Sequence, residues 1–332
     1  MRAGVPRRPG AIAVARRFAD EVLFPAALAT DARDAVPLEV LDALAETGLY
    51  GVAAPTDAGG FGADFATVCG VQEVLAGGCL TTAFLWAQHN GLVHRLATND
   101  SPALRERWLP GLTSGTIRAG VALGGALPRP TVHARRDRGG WRLEGCSPFV
   151  SGWGRIDVVH TAASTEDGDV VWLILDATED SSLSVEPLEL VALNATATVR
   201  VSFVGKSVPD ERVTARKPPV ATAPEVLRLH ASLALGVIAR CCRLLGPTPL
   251  DDQLVALRQR LDALGPGIAA ARADAGELAV RAAAALMAIT GGRSLLVTNH
   301  AQRLAREALF VLAYALRPAS RDQVLNRLYL QP

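Results

Sequence analysis

The side chains able to do chemistry are few, and their spacing excludes more than it offers. The six histidines include no HExxH or HxxxH arrangement, and no pair among Cys69, Cys79, Cys146, Cys241 and Cys242 has metal-ligand spacing. A zinc centre is therefore not indicated. The odd cysteine count argues against a disulfide framework. Cys241 and Cys242 are neighbours in a helical pattern, point in different directions and read as packing residues. "TDAGGFGAD" is glycine-rich, but no GK[ST] follows it, and no GxGxxG follows a strand. Neither a P-loop nor a Rossmann site is indicated. The stretch from Gly291 to Pro318 has the punctuation of a cofactor site: a Gly-Gly turn, the pair Arg306 and Glu307, then an apolar run. Where a reactive group is expected, from Ala308 to Ala319, there is no acid, no histidine and no hydroxyl except Tyr314.

Three textures must position whatever site exists. Residues 1–115 are helical: "PLEVLDALAETGLYGVAAP" has apolar residues at 3.6 spacing and stops at Gly48 and Pro55. In "SPALRERWLPGLTSG", Ser101 is a plausible N-cap, Pro102 a first-turn proline and Gly115 a stop. Residues 116–215 read as short β-branched strands bounded by Gly, Asp and Pro, the texture of an antiparallel barrel or sandwich. Residues 216–332 are helical again, opening on "APEVLRLHASLALGVIARCCRLLG" and ending on "HAQRLAREALFVLAYAL", and these helices can form a bundle.

Composition narrows the class. With 332 residues and 49% hydrophobic content the chain can bury a large core. A net charge of +1 supplies no global field for nucleic acid or an anionic membrane. Lysine occurs only at Lys206 and Lys217. The arginines that replace it could grip phosphates, and a compositional bias explains them equally well. "MRAGVPRRPGAIAVARRF" is basic without the apolar core of a signal peptide, and no run reaches the roughly 20 apolar residues of a membrane span. The expectation is a soluble, cytoplasmic protein without a metal.

Taken in order, these segments resemble the acyl-CoA dehydrogenase superfamily over almost the whole chain. "LYGVAAPTDAGGFGAD" is similar to the family's GL-x-G-x-x-x-P-x-x-x-GG-x-G loop, and "RERWLPGLTSGTIRAGVAL" to the helix and turn that enter its β domain. "GWRLEGCSPFVSGWGRIDVVHTAA" is similar to its W-x-L-x-G-x-K-x-x-I-(T/S)-N-G-x-x-A-D segment. The resemblance implies an N-terminal α-helical domain, a middle antiparallel β-barrel and a C-terminal four-helix bundle. It implies FAD between barrel and bundle, and an acyl thioester, carried by CoA or a carrier protein, as substrate. It also implies a homodimer or tetramer, or a heteromer with a homologous subunit. In the family a base removes the α-proton of the thioester while the flavin takes a hydride from the β-carbon.

The family's residues carry over unevenly. Phe149 and Ser151 fall where it has an aromatic and a hydroxyl beside the flavin. Val121 and Leu123 can still offer backbone contacts. Gln253 matches the glutamine that in the family contacts the FAD diphosphate of a neighbouring subunit, and Gly291-Gly292 match the turn that lets backbone approach the dinucleotide. Leu245 replaces the aromatic of its F-G, and its preceding arginine falls at Cys242, with Arg243 one position late. Its glutamine three residues before Gly-Gly falls at Ala288. Gly124 and Gly125 stand for its Thr-Glu. In step with Gly291, Tyr314 falls at the family's tyrosine and Ala315 at its catalytic glutamate; the alternative base position is Leu227, just before Arg228. Alanine takes no proton, and a general base is worth about 10²–10⁴-fold. The Ala315 N–H can still bond the thioester carbonyl, as the family's does. His89, on a helix that lines the family's acyl pocket, is a candidate relocated base, with Glu225, His230 and Tyr314 as lesser ones. Three readings follow: a divergent flavoenzyme with a relocated base or oxygen chemistry, a non-catalytic partner subunit, or a flavin-free thioester-binding scaffold.

Overall fold

In a computed structural model, which describes residues 10–315 and 318–329, the order is helices, strands, helices. α1 (Ala11–Phe18) passes through one π-helical turn (Ala19–Leu23) into α2 (Phe24–Asp31). α3 (Leu38–Glu46), α4 (Phe65–Gly78), α5 (Leu80–Ala97) and α6 (Pro102–Ser114) follow. The boundaries have local causes. Gly48, at φ 76°, turns the chain after α3. Asp64 caps α4 by accepting the Thr67 N–H at 2.8 Å, and Ser101 caps α6 through the Leu104 N–H. Gly115 ends α6 at φ 77°. α5 is buried along most of its length, because it lies between the other helices and the sheet.

Eight strands follow: β1 (Ala119–Ala122), β2 (Val132–Asp137), β3 (Gly140–Val150), β4 (Val158–Thr165), β5 (Val170–Asp176), β6 (Leu183–Pro187), β7 (Val199–Pro209) and β8 (Val213–Lys217). They form one sheet in the order β6-β7-β3-β2-β4-β5-β8, with β1 beside β4. Most pairs are antiparallel, but β1–β4 and β2–β4 are parallel, which a reading from strand texture alone did not anticipate.

The C-terminal helices are α7 (Pro224–Leu245), α8 (Pro249–Asp262), α9 (Ile268–Thr290) and α10 (His300–Ala313), with α11 (Pro318–Tyr329) as a fifth. Thr248 and Asp251 form a capping box at the start of α8. One continuous apolar core joins α1–α5 to α7–α10, and a second lies within the sheet. α7 crosses α4 at two glycines: a methyl on Gly236 would lie 2.3 Å from the Glu73 carbonyl oxygen. No helix among the described residues is long and apolar enough to cross a membrane.

Residues 188–198 have no regular structure and touch all three layers. Val36, ahead of α3, donates its N–H to Ala195 O at 2.8 Å. Gly152, after β3, donates to Thr196 O at 2.7 Å. Arg306, on α10, donates to Val191 O at 3.0 Å and is paired with Asp31 at the end of α2.

Candidate functional site

α10 ends at Ala313, and the backbone turns at Tyr314 (φ −64°, ψ 133°) into Ala315 at φ 54°, the left-handed region. An alanine held there costs roughly 1 kcal/mol, so its surroundings must impose it. Arg272, on α9, does part of this. Its Nη2 donates to the carbonyls of Val311 at 2.8 Å and Tyr314 at 3.1 Å, acceptors that a helix end leaves unpaired. Arg272 is 2% exposed and its Nη1 has no partner among the described residues. Burial lowers its pKa to about 10. Ala315 is exposed, and its N–H meets no acceptor among the described residues.

The wall beside this turn is aromatic. The Tyr314 ring meets Phe84 edge-on at 5.0 Å, meets His230 edge-on at 5.1 Å and stacks on Phe310 at 5.5 Å. Burial raises the phenol's pKa, opposed by a hydrogen bond with Gln88. α5, α7 and α10 each contribute to this wall. His230 is therefore the imidazole brought to the turn. Its place one helical turn beyond Leu227 was the available signal, although the sequence ranks it below His89.

Two expected catalytic residues do other work. His89 is 1% exposed. Its Nδ1 accepts the Ala119 N–H at 3.2 Å, so the proton sits on Nε2, which donates to Leu112 O at 3.0 Å. Its ring meets Tyr50 edge-on at 4.7 Å. Desolvation lowers its pKa to about 4. With both nitrogens committed to backbone between α5, α6 and β1, His89 is a strut and not a base. The Arg228 guanidinium is 3% exposed and faces α8: Nε donates to Asp262 and Nη1 to Ser232 Oγ, both at 2.7 Å. Glu225 is exposed in the first turn of α7.

On the β side, Phe149 sits at φ 56° and is 66% exposed, next to a register shift between β3 and β7. Leu123, after β1, is exposed, and Val121 is half-buried within β1, opposite His160 of β4. Ser151 is buried and 2.7 Å from Thr198 Oγ1, which is 2.7 Å from Thr196 Oγ1. Thr196 donates to Leu193 O, so the chain of hydroxyls runs one way and Ser151 donates inward. Gly125 packs flat on β4: a methyl there would lie 2.2 Å from Ala163 Cα. Gly124 gives its N–H to Ser147 Oγ. No Thr-Glu side chains fit at this turn.

These residues fit one end of FAD and not the other. Leu123 and Phe149 offer exposed apolar surface to a flat ring, and added methyls on Gly291 and Gly292 would meet nothing within 4 Å. At the diphosphate end the position of the family's arginine is the buried Cys242, and Gln253 Oε1 accepts from Arg281 at 2.7 Å. Among the described residues no group of three or more His, Cys, Asp and Glu could hold a metal.

An N-terminal helical layer, a middle sheet and C-terminal helices together make the acyl-CoA dehydrogenase class of fold. The acyl-CoA dehydrogenase N-terminal domain family matches residues 11–116. Butyryl-CoA dehydrogenase from Megasphaera elsdenii superposes with a TM-score of 0.83 at 18% identity, over 99% of this chain and 100% of that one. (2S)-methylsuccinyl-CoA dehydrogenase from Cereibacter sphaeroides is 30% identical over 157 residues, 46% of this chain and 29% of the relative. 3-Sulfinopropanoyl-CoA desulfinase from Paraburkholderia xenovorans is 24% identical over 57% of this chain and 51% of the relative. The aligned segments thus span about half or less of these two relatives' own lengths. Residues 11–116 belong to the acyl-CoA dehydrogenase N-terminal domain family, and the whole chain shares the acyl-CoA dehydrogenase fold.

Proposed function

We propose that this chain is a divergent acyl-CoA dehydrogenase-like flavoprotein that binds an acyl thioester, on CoA or a carrier protein, and has given up the family's proton abstraction. One observation carries the reading. Ala315, at the position that resembles the family's base, sits in a left-handed turn at the end of α10, and its N–H bonds no acceptor among the described residues. That N–H can hold a thioester carbonyl, as a fixed donor in a partly desolvated site does. The Phe84, Phe310 and Tyr314 rings would line the acyl chain. Leu227, at the alternative base position, is buried and apolar. FAD, when bound, supplies the hydride acceptor; Leu123 and Phe149 would lie along its ring.

A second reading, a subunit completed by a homologous partner, is favoured by two features together. The family's diphosphate-side residues are replaced at Cys242 and Ala288, and Ile289, Leu295, Leu296 and Val297 are exposed around the open Gly291-Gly292 turn. A second copy in a homo-oligomer would cover the same surface.

The test combines the visible spectrum after FAD addition and desalting, calorimetry with butyryl-CoA, and α-proton exchange of that ester in D₂O. The expected result is a retained flavin spectrum, saturable binding and no exchange above background. A colourless protein overturns the flavoprotein part. Rapid exchange overturns the loss of the base, and absence of binding removes the thioester site.

A further inference from the structure

A cleft of about 430 Å³ opens between α1, α4, α7 and α8, away from the Tyr314–Ala315 turn. Its floor is the glycine crossing of α4 and α7, and apolar walls come from Ala19, Val74 and Ala239. Four guanidinium groups line it, Arg16, Arg240, Arg243 and Arg258, against two carboxylates, Asp20 and Glu73. The local excess is two positive charges.

The arrangement is built rather than a scatter of surface charge. Arg240 is 6% exposed, packs over the Phe24 ring at 4.1 Å, and donates from Nε to Gly77 O at 2.5 Å and from Nη2 to Asp20 at 2.7 Å. Arg243 donates to both oxygens of the same Asp20, at 2.8 and 3.2 Å. Arg258 grips Glu73 through Nε and Nη2. Asp20 therefore fixes two guanidiniums side by side, an arrangement that like-charge repulsion opposes. Donors are left over. Nη1 of Arg240, Nε of Arg243, Nη1 of Arg258 and all of Arg16 bond no acceptor among the described residues, and none is a buried unpaired atom. Planar guanidinium groups with spare N–H forks match the oxygens of phosphates.

We propose that this cleft binds a phosphate-type dianion, a diphosphate or phosphomonoester, seated between Arg16, Arg240, Arg243 and Arg258. The anion neutralises the excess charge and takes the spare donors, while Asp20 and Glu73 hold the guanidiniums in place. The dianion can be free or part of a nucleotide-type carrier.

Inorganic pyrophosphate is the probe, titrated calorimetrically into the full chain at constant ionic strength set with KCl. The expected result is saturable binding that weakens at least tenfold in the double variant Arg16→Gln, Arg243→Gln. The unliganded double variant keeps its Tm within a few degrees, because both side chains are exposed. Arg16→Lys should recover part of the affinity, since it restores the charge without the fork. Competition separates the sources. Displacement by CoA but not pantetheine points to the carrier's phosphates, displacement by FAD to the cofactor's, and displacement by neither to a free anion. No saturable heat from pyrophosphate, or equal affinity in the double variant, overturns the proposal.

Discussion

Lowering the pH should unfold this protein through its buried imidazoles, and His89 allows the effect to be measured. In the fold His89 stays neutral down to about pH 4, whereas an unfolded histidine protonates near 6.5. Between those values the unfolded chain holds more protons, so stability falls as pH falls. From pH 7 to pH 5 the linked loss is about 2 kcal/mol for one such ring. His160 is in the same position: burial lowers its pKa to about 3, and its Nε2 is 2.8 Å from Thr214 Oγ1. The pair should therefore remove about 4 kcal/mol at pH 5, a large share of a typical folding free energy. His89→Gln isolates one ring. An amide can accept the Ala119 N–H and donate to Leu112 O, yet does not titrate. Urea unfolding followed by tryptophan fluorescence at pH 7 and pH 5 gives the comparison. The variant should lose about 2 kcal/mol less than the wild type on acidification. Equal losses, within about 0.5 kcal/mol, would refute the assignment of His89 as a neutral strut.

Ala315→Glu should place a base on the turn after α10, raising α-proton exchange of bound butyryl-CoA by about 10²–10⁴-fold. An unchanged rate in a folded, ester-binding variant would mean that the turn no longer faces the thioester. Gly236→Ala sets two effects against each other. Helix propensity alone favours alanine by about 1 kcal/mol, but its methyl would lie 2.3 Å from Glu73 O and 2.8 Å from Gly77 N. Overpacking of about 1–3 kcal/mol should win, and thermal melts should show a Tm lower by several degrees; a higher Tm would place the helices further apart.

Much of the architecture was legible because local chemistry and tertiary demand agree. Gly48, Ser101 and Gly115 act as the stops and caps their types imply, and the family resemblance supplied the order of layers. The parallel pairings of β1 and β2 with β4 were not legible, since pairing depends on partners far along the chain. The site was less legible still. His89 and Arg228 have suitable chemistry, but their roles depend on which backbone atoms and acids surround them. The two glycines after β1 read as a loss of polar contacts, whereas Gly125 is required by the packing of its backbone on Ala163. His230 on α7 meets Tyr314 at the end of α10, a contact that periodicity within one helix does not report.

The irregular segment 188–198 has a mechanical consequence. It is stitched to the stretch before α3, to the turn after β3 and to α10 by separate hydrogen bonds. None of these three bodies can swing away without breaking bonds to a strand of chain the others also hold. Leu193 and Ala197 are pinned there at φ 58° and φ 47°, so the segment acts as a latch under tension rather than slack rope. The amide protons of Val36 and Gly152, which donate into the segment, should exchange with solvent only when their layers part from it.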